Sequence, residues 1–242
     1  MNFSEGEVLW VKKPLHWTSF NVVNRIRWKI RKTLQLKKIK VGHAGTLDPL
    51  ATGVMIICTG KATKLIESYQ YQTKEYIATL ELGATTPCFD KELPVDATYP
   101  IEHITSEMVQ QVIPTFIGEI WQIPPVYSAV KIEGKRAYDY AREGQEIDLK
   151  PKLLVIDEIE VLDFTPPFLK LRVVCSKGTY IRALARDIGL ALNSGAHLAA
   201  LERTRIGDIR LEDCLEINEL IDHIEYEMIK EKNTTDKSVD SI

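Results

Sequence analysis

The stretch Val41-Gly42-His43-Ala44-Gly45-Thr46-Leu47-Asp48-Pro49-Leu50-Ala51-Thr52-Gly53 is the most heavily punctuated segment of this 242-residue chain. Its three glycines permit turns with positive φ, and Pro49 pushes Asp48 towards extended backbone, so a carboxylate is carried on a stiff turn. The apolar run Val54 to Cys58 follows at once and reads as a buried strand. Asp48 is also the first acid after forty residues without one. Between Glu7 and Asp48 the chain carries ten Lys and Arg: Lys12, Lys13, Arg25, Arg27, Lys29, Arg31, Lys32, Lys37, Lys38 and Lys40. A carboxylate at that point sits in a positive field, which favours its ionised form. Spacing alone leaves two readings open, an ordinary Asp-Pro turn and a reactive carboxylate. His43 is likewise either a proton-transfer group or a packed loop histidine. A phosphate-binding P-loop is excluded, because six residues separate Gly53 from Gly60-Lys61 where four are needed, and Ala62 follows the lysine.

Upstream of this loop, Gly6 to Lys13 reads as a strand that ends at Pro14. Thr18 or Ser19 then caps a helix in which Val22, Ile26 and Ile30 recur every four residues. Arg25, Lys29 and Lys32 share another face, which predicts basic side chains on the outside of a docked helix. Downstream, Glu75 to Leu82 alternates, with Tyr76, Ala78, Leu80 and Leu82 on one side, as a half-buried strand does. Ser106 to Ile117 suits a helix, Leu153 to Phe164 and Phe168 to Cys175 suit strands, and Thr179 to Asn193 suits a helix with Ile181, Leu184, Ala185 and Ile188 inward. Glu216 to Lys230 reads as a last helix. Helices and strands are interspersed without a regular βαβ beat, so the fold class expected is α+β with a mixed sheet. No internal repeat or linker-like tract divides the chain.

Composition narrows the function classes. With 45% hydrophobic and 27% charged residues the chain affords a sizeable core, which excludes wholesale disorder. The longest uncharged apolar-leaning run, Pro49 to Gly60, is far short of the roughly 20 residues that span a bilayer. The first residues show no basic region leading into an apolar stretch, so no secretory signal is expected and the cytoplasm is the expected compartment. Four cysteines without C-x-x-C and five histidines without H-E-x-x-H predict neither a disulfide framework nor a zinc site. No cofactor and no metal are expected. The net charge of −3 conceals a segment of +10 set against −13 elsewhere, of which −7 lies from Glu212 onward. The basic segment is either a solvated helix face or a phosphate-contacting surface. The second reading predicts affinity for nucleic acid that falls steeply with salt.

Three other places carry candidate chemistry. In Cys175-Ser176-Lys177-Gly178-Thr179-Tyr180-Ile181-Arg182 a strand turns into a helix, and Arg182 in the first turn opposes the helix dipole. That position asks for an anion, which an arginine fork suits, although a surface ion pair also satisfies it. Tyr76 is a core residue or a stacking face for an unpaired base. Pro124-Pro125-Val126-Tyr127-Ser128-Ala129-Val130-Lys131, with Gly134-Lys135-Arg136-Ala137-Tyr138 after it, reads as an exposed loop of interleaved aromatic and basic residues suited to RNA.

Together these segments resemble the TruB family of tRNA pseudouridine synthases. The loop Gly42 to Gly53 matches the family's catalytic motif at nearly every position. Lys74-Glu75-Tyr76, Pro125 to Lys131 with Tyr138-Asp139-Tyr140-Ala141-Arg142, Cys175 to Arg182, and Gly195-Ala196-His197-Leu198 with Leu201-Glu202-Arg203-Thr204 are similar to further family segments, in family order. The resemblance covers roughly residues 7 to 210. It implies a mixed, mainly antiparallel central sheet with peripheral helices and an RNA-gripping loop insertion at about 124–150. It also implies a catalytic domain over 1–210, a helical appendage over 211–230 and a polar tail over 231–242. The activity implied is isomerisation of uridine to pseudouridine in the T-loop of tRNA, at position 55, without cofactor or metal. The partner implied is the tRNA T-arm, bound by a monomer that needs no obligatory protein partner.

The resemblance assigns roles residue by residue. Asp48 is the catalytic aspartate, which starts breakage of the N-glycosidic bond so that the uracil can rotate and re-attach through C5. Tyr76 stacks on the flipped base, Arg182 pairs with Asp48, and Tyr180 and Leu201 line the pocket. His43 helps to keep the nucleotide extruded, and Lys13, in Lys13-Pro14, supports the loop. Three departures from the family pattern stand out. His16 replaces a usual glycine, so that turn is not expected to need a positive φ. Thr85-Thr86-Pro87 replaces the usual Thr-Asp-Thr run, although Asp90 is kept. An acidic helix and tail follow Gly207, where many members carry a PUA RNA-binding domain. Two readings compete with the isomerase. A non-catalytic RNA-binding or tRNA-folding module would make Asp48 dispensable. A nucleoside or glycoside hydrolase would need a second carboxylate in fixed relation to the first, and none stands out.

Overall fold

The computed structural model describes every residue except Ser4, Ala129, Glu133, Gly144, Glu146 and 227–242, and only the backbone of residues 131, 132, 135, 136, 141 and 142. In chain order the first elements are β1 (Val8–Lys13), α1 (Ser19–Leu34), β2 (Val41–His43), β3 (Ala51–Thr59), α2 (Ile66–Tyr71), β4 (Lys74–Leu82), β5 (Ala84–Thr85), β6 (Ala97–Thr98), α3 (Ser106–Val112) and β7 (Gly118–Gln122). They are followed by β8 (Lys131–Ile132), β9 (Lys135–Arg136), α4 (Ala137–Arg142), β10 (Lys152–Thr165), β11 (Phe168–Cys175), α5 (Ile181–Ala191), β12 (Ala196–Ile206) and β13 (Ile209–Arg210). The chain divides into two compact units, one of Met1–Gln72 with Arg203–Ile242 and one of Thr73–Glu202, so that β12 starts in the second and ends in the first.

In the first unit β3 is the centre. It pairs antiparallel with β1 from Val8↔Cys58 to Lys13↔Gly53, and with β2 through Gly42↔Cys58. Every residue from Val54 to Thr59 is buried, as expected of an apolar run with protein on both sides. Met55 and Ile57 face a core with Val11, Val22, Ile26 and Ile30, while Val54, Ile56 and Cys58 face another with Ala44, Ile206 and Cys214. α1 starts where the sequence says it should: Thr18 Oγ1 accepts the Asn21 N–H at 3.0 Å and Asn21 Oδ1 accepts the Thr18 N–H at 2.8 Å, a reciprocal cap.

Two expectations about this unit are corrected. His16 has φ 64°, so its turn does use the left-handed region. Its N–H donates to Pro49 O at 2.8 Å, and that bond holds a histidine in a conformation glycine would adopt more cheaply. Lys29 does not share the outer face with Arg25 and Lys32. It lies beside the apolar stripe, is 9% exposed, and pairs with Glu225. Glu225 belongs to a C-terminal helix, 217–226, whose Ile217, Leu220, Ile221 and Ile224 complete the core around α1. The remainder of that expected helix, 227–230, and the tail 231–242 lie outside the described residues.

In the second unit the strand order is β12-β4-β11-β10-β7, with β4, β11, β10 and β7 antiparallel in succession. The alternation read in β4 is borne out: Tyr76, Ala78, Leu80 and Leu82 are buried, and Tyr76↔Val173, Ala78↔Leu171 and Leu80↔Leu169 stack side by side across β4 and β11. In α5 Ile181, Leu184, Ala185 and Ile188 are buried as expected. A Cβ on Gly189 would lie 2.4 Å from Ala196 N, so the helix is held close to the start of β12. The helix expected over Ser106 to Ile117 is α-helical only to Val112 and continues as a 3-10 turn, Ile113–Phe116. Pro114 ends it by lacking an N–H and crowding the preceding turn. Inside the loop region expected at about 124–150, β8 and β9 form a short hairpin that leads into α4.

Candidate active site

The Asp48 turn is fixed by three side chains that grip its main chain. Ser19, the first residue of α1, donates Oγ–H to Leu47 O at 3.0 Å and accepts the Leu47 N–H at 2.8 Å. Lys13 ends β1 and is 1% exposed. Its ammonium donates to Pro14 O at 2.8 Å, Trp17 O at 2.5 Å and Pro49 O at 3.4 Å. Arg203, also 1% exposed, donates Nε–H to Val54 O at 2.9 Å and Nη2–H to Gly45 O at 3.2 Å. The turn itself closes with Ala51 N–H on Asp48 O at 3.1 Å. Gly53, at φ +107°, lies against the strand that brings Arg203, and a Cβ there would sit 2.2 Å from Arg203 O. No L side chain tolerates both the angle and the approach. The motif's last glycine therefore admits β12 to the back of the loop.

Charge in this region follows from burial. Removal from water pushes the Lys13 ammonium down to about 8; the Asp48 charge pulls it back up and Arg203 pushes it further down. Asp48 and Lys13 thus lie within each other's field, and Asp48 is half-buried. Burial likewise holds His43 below the usual imidazole range; the Gly45 backbone opposes that shift and Arg203 adds to it. Its buried Nδ1 has no hydrogen-bond partner among the described residues.

The second unit holds the other four residues singled out by the sequence. Tyr76 is buried on β4 and Leu201 is half-buried on β12. Tyr180 precedes α5 and is clamped by Gln122 at the end of β7: its N–H donates to Oε1 at 2.9 Å and its C=O accepts from Nε2 at 3.3 Å. Arg182, 5% exposed, donates to Cys88 O at 2.9 Å and Tyr127 O at 2.8 Å. Its Nε lies 3.6 Å from the buried carboxylate of Asp90, the anion its place in the helix asks for. Lys13, His43 and Asp48 are thereby gathered in one unit, and Tyr76, Tyr180, Arg182 and Leu201 belong to the other.

The family model described as TruB family pseudouridylate synthase (N terminal domain) matches residues 31–181, and that described as tRNA pseudouridylate synthase B C-terminal domain matches 182–240. The chain belongs to the TruB family. A TruB relative from Phocaeicola vulgatus, tRNA pseudouridine synthase B, is 67% identical over 231 residues, which are 96% of this chain and 98% of the relative. One from Parabacteroides distasonis with the same name is 64% identical over 95% of this chain and 98% of its own. Among solved structures, a chain of a Cbf5-Nop10-Gar1 complex is 32% identical with a TM-score of 0.69, over 96% of this chain and 57% of that one. A chain of an H/ACA ribonucleoprotein bound to a substrate RNA is 30% identical with a TM-score of 0.66, over 96% and 56%. The mixed, mainly antiparallel sheet expected from the resemblance is borne out by the fold that this chain shares with these solved structures.

Sequence reading passed over Ser19, Gln122 and Arg203. Ser19 was read only as a possible helix cap and Arg203 only as part of a family segment. The one available signal was Gly53, a glycine without a hairpin around it, which marks close backbone approach.

Proposed function

We propose that this chain converts the uridine at position 55, in the T-loop of tRNA, into pseudouridine. The observation that carries the reading is the Asp48 turn, gripped on its main chain by Lys13, Ser19 and Arg203. Its relatives at 67% and 64% identity are tRNA pseudouridine synthases, and the chain is an isomerase of tRNA uridine. The T-loop position and the residue roles that follow are part of the proposal.

The reaction breaks the bond between ribose C1′ and uracil N1, forms one between C1′ and C5, moves a proton off C5 and places one on N1. Atoms balance without a co-reactant. Asp48 starts the cleavage as an ionised carboxylate, and the fixed turn keeps it in place as the base detaches and rotates. Tyr76 offers the ring on which the flipped uracil stacks, Tyr180 and Leu201 line its pocket, and Arg182 is the counter-ion that the family resemblance assigns to Asp48. His43, whose pKa burial lowers, helps to keep the nucleotide extruded. Unstacking a base from a folded RNA costs a few kcal/mol, which stacking and phosphate contacts must offset. The chain acts as a monomer in the cytoplasm. Among the described residues no helix is long and apolar enough to cross a membrane.

The test is release of tritium from C5-labelled uracil in a tRNA transcript. Asp48→Asn lowers release by about a thousandfold or more while tRNA binding persists. Turnover by that variant at the wild-type rate removes the proposal and leaves an RNA-binding module. Free uracil among the products would indicate a hydrolase. Pseudouridine mapped elsewhere than the T-loop overturns the position and spares the chemistry.

A further inference from the structure

The outer face of α1 carries more than a solvated helix needs. At 100° per residue, Phe20, Asn24, Arg25, Arg27, Trp28, Arg31 and Lys32 fall on the contiguous face opposite Val22, Ile26 and Ile30. Phe20 is 60% and Trp28 51% exposed, although the helix buries a complete apolar stripe elsewhere. Each ring lies beside a cation, and Trp28 beside two: Arg25 lies 5.5 Å and Lys32 5.0 Å from the Trp28 centroid, and Arg27 lies 5.9 Å from that of Phe20. Among the described residues no carboxylate pairs with Arg25, Arg27 or Arg31, and Lys32 acts on Glu225 only through its field, whereas Lys12, Lys29 and Lys61 of the same unit all have acidic partners.

Part of this face is already arranged. Arg27 is oriented by Val41 O at 2.9 Å and Asn24 Oδ1 at 3.0 Å. A cleft of about 460 Å³ runs between Asn24, Arg27, Trp28, Arg31, Lys32 and Leu36. The helix also gives the face a direction. Its first residue, Ser19, holds Leu47 next to Asp48. At about 1.5 Å of rise per residue, Arg25 lies roughly 9 Å and Lys32 roughly 20 Å along the axis from Ser19. A single nucleotide at Asp48 cannot occupy that length, but a polyanion running outward from it can.

We propose that the α1 outer face is a docking surface for the sugar-phosphate backbone of the tRNA substrate beyond the nucleotide that reacts, with Trp28 as its central contact. Unpaired guanidinium groups, with the Lys32 ammonium, interleaved with exposed rings suit phosphates and splayed bases. A membrane-surface helix instead segregates its rings into an apolar stripe, and here each ring lies beside a cation. The proposal rests on the reading of the chain as a tRNA-modifying enzyme.

The experiment measures tRNA binding by filter retention over a series of salt concentrations, alongside pseudouridine formation. The triple variant Arg25→Gln/Arg31→Gln/Lys32→Gln is expected to weaken binding about tenfold and to flatten the slope of log affinity against log salt by about 2. Its loss of turnover is expected in KM and not in kcat. Trp28→Ala weakens binding with the slope unchanged, which separates stacking from charge. All four positions are exposed, and unchanged thermal midpoints check that the variants fold. Wild-type affinity and slope in the triple variant overturn the proposal. So does a wild-type chain that binds phosphatidylglycerol vesicles through these residues while tRNA affinity is indifferent to them. If the wild type makes no pseudouridine but the triple variant still loses tRNA binding, the surface stands and the activity reading falls.

Discussion

The Asp48 turn and the start of α5 are built from the same parts and use them differently. Each contains an aspartate and a nearly inaccessible arginine whose hydrogen bonds go to main-chain carbonyls. At α5 the carboxylate is itself consumed by the structure. Asp90 is 3% exposed, accepts from Cys88 Sγ at 3.0 Å and the Glu92 N–H at 2.9 Å, and faces Arg182. At the turn the grip falls on the main chain of Gly45, Leu47, Pro49 and Val54, and Asp48 stays half-buried. Asp90 is enclosed on every side, whereas the Asp48 turn is held along its main chain, as suits the reactive role proposed for it.

The sharpest way to break this contrast is to remove the two arginines. Arg182→Met is expected to destabilise by about 3–5 kcal/mol, because it leaves Asp90 buried without its cation. Arg203→Met is expected to cost about 2–3 kcal/mol, the loss of partners for two carbonyls with no stranded charge. Urea unfolding measures both, and adding Asp90→Asn recovers stability only in the Arg182 background. Equal losses would show that Asp90 does not depend on Arg182.

Ser19→Ala comes next. It removes both bonds to Leu47, costs about 1–2 kcal/mol, and lowers kcat about tenfold with little change in the KM for tRNA. A rise in KM alone would mean that Ser19 shapes binding and not the turn.

The effect of pH on Lys13 is smaller and has a definite sign. Its folded pKa of about 8 is below the ordinary lysine value, so the unfolded chain binds more protons between about pH 8 and 10.5. The penalty for burying the ammonium is fully present below pH 8 and is relieved as pH rises through that window. Unfolding free energy therefore gains an upward component there that Lys13→Met lacks. Over the same range the turn loses one donor, so kcat falls with a midpoint near 8. A lysine that titrates at its ordinary value removes both effects. The smallest change expected is His16→Gly, which stabilises by up to about 1 kcal/mol by relieving the left-handed backbone at φ 64°, read as a small rise in the thermal midpoint.

Legibility in the sequence followed the range of the interactions. The stripe of α1, its Thr18 cap and the alternation of β4 are local patterns, and they identified these elements within a residue or two. Asp48, His43 and Arg182 stood out by their places in a glycine-rich turn and at a helix start, and the resemblance added Lys13. Their supports did not stand out. Ser19 reaches Leu47 across 28 positions, Gln122 reaches Tyr180 across 58, and Arg203 reaches Val54 across 149, and no periodicity encodes such pairs. Lys29 was placed on the wrong face for the same reason, since Glu225 lies 196 residues away. His16 misled in another way: its residue type disfavours the left-handed region, and only the bond to Pro49 O shows why the chain adopts it.

The unit that holds Asp48 is discontinuous, Met1–Gln72 completed by residues from Arg203 onward. As the chain leaves the ribosome, β1, α1 and β3 emerge early but wait for Arg203 to reach Gly45 and Val54, and for Ile217, Leu220, Ile221 and Ile224 to close the core. The first segment made cannot complete its core until those residues emerge, whereas Thr73–Glu202 is uninterrupted in sequence. A nascent or truncated chain that stops before Arg203 therefore carries the whole Asp48 turn without the buried cation that grips it.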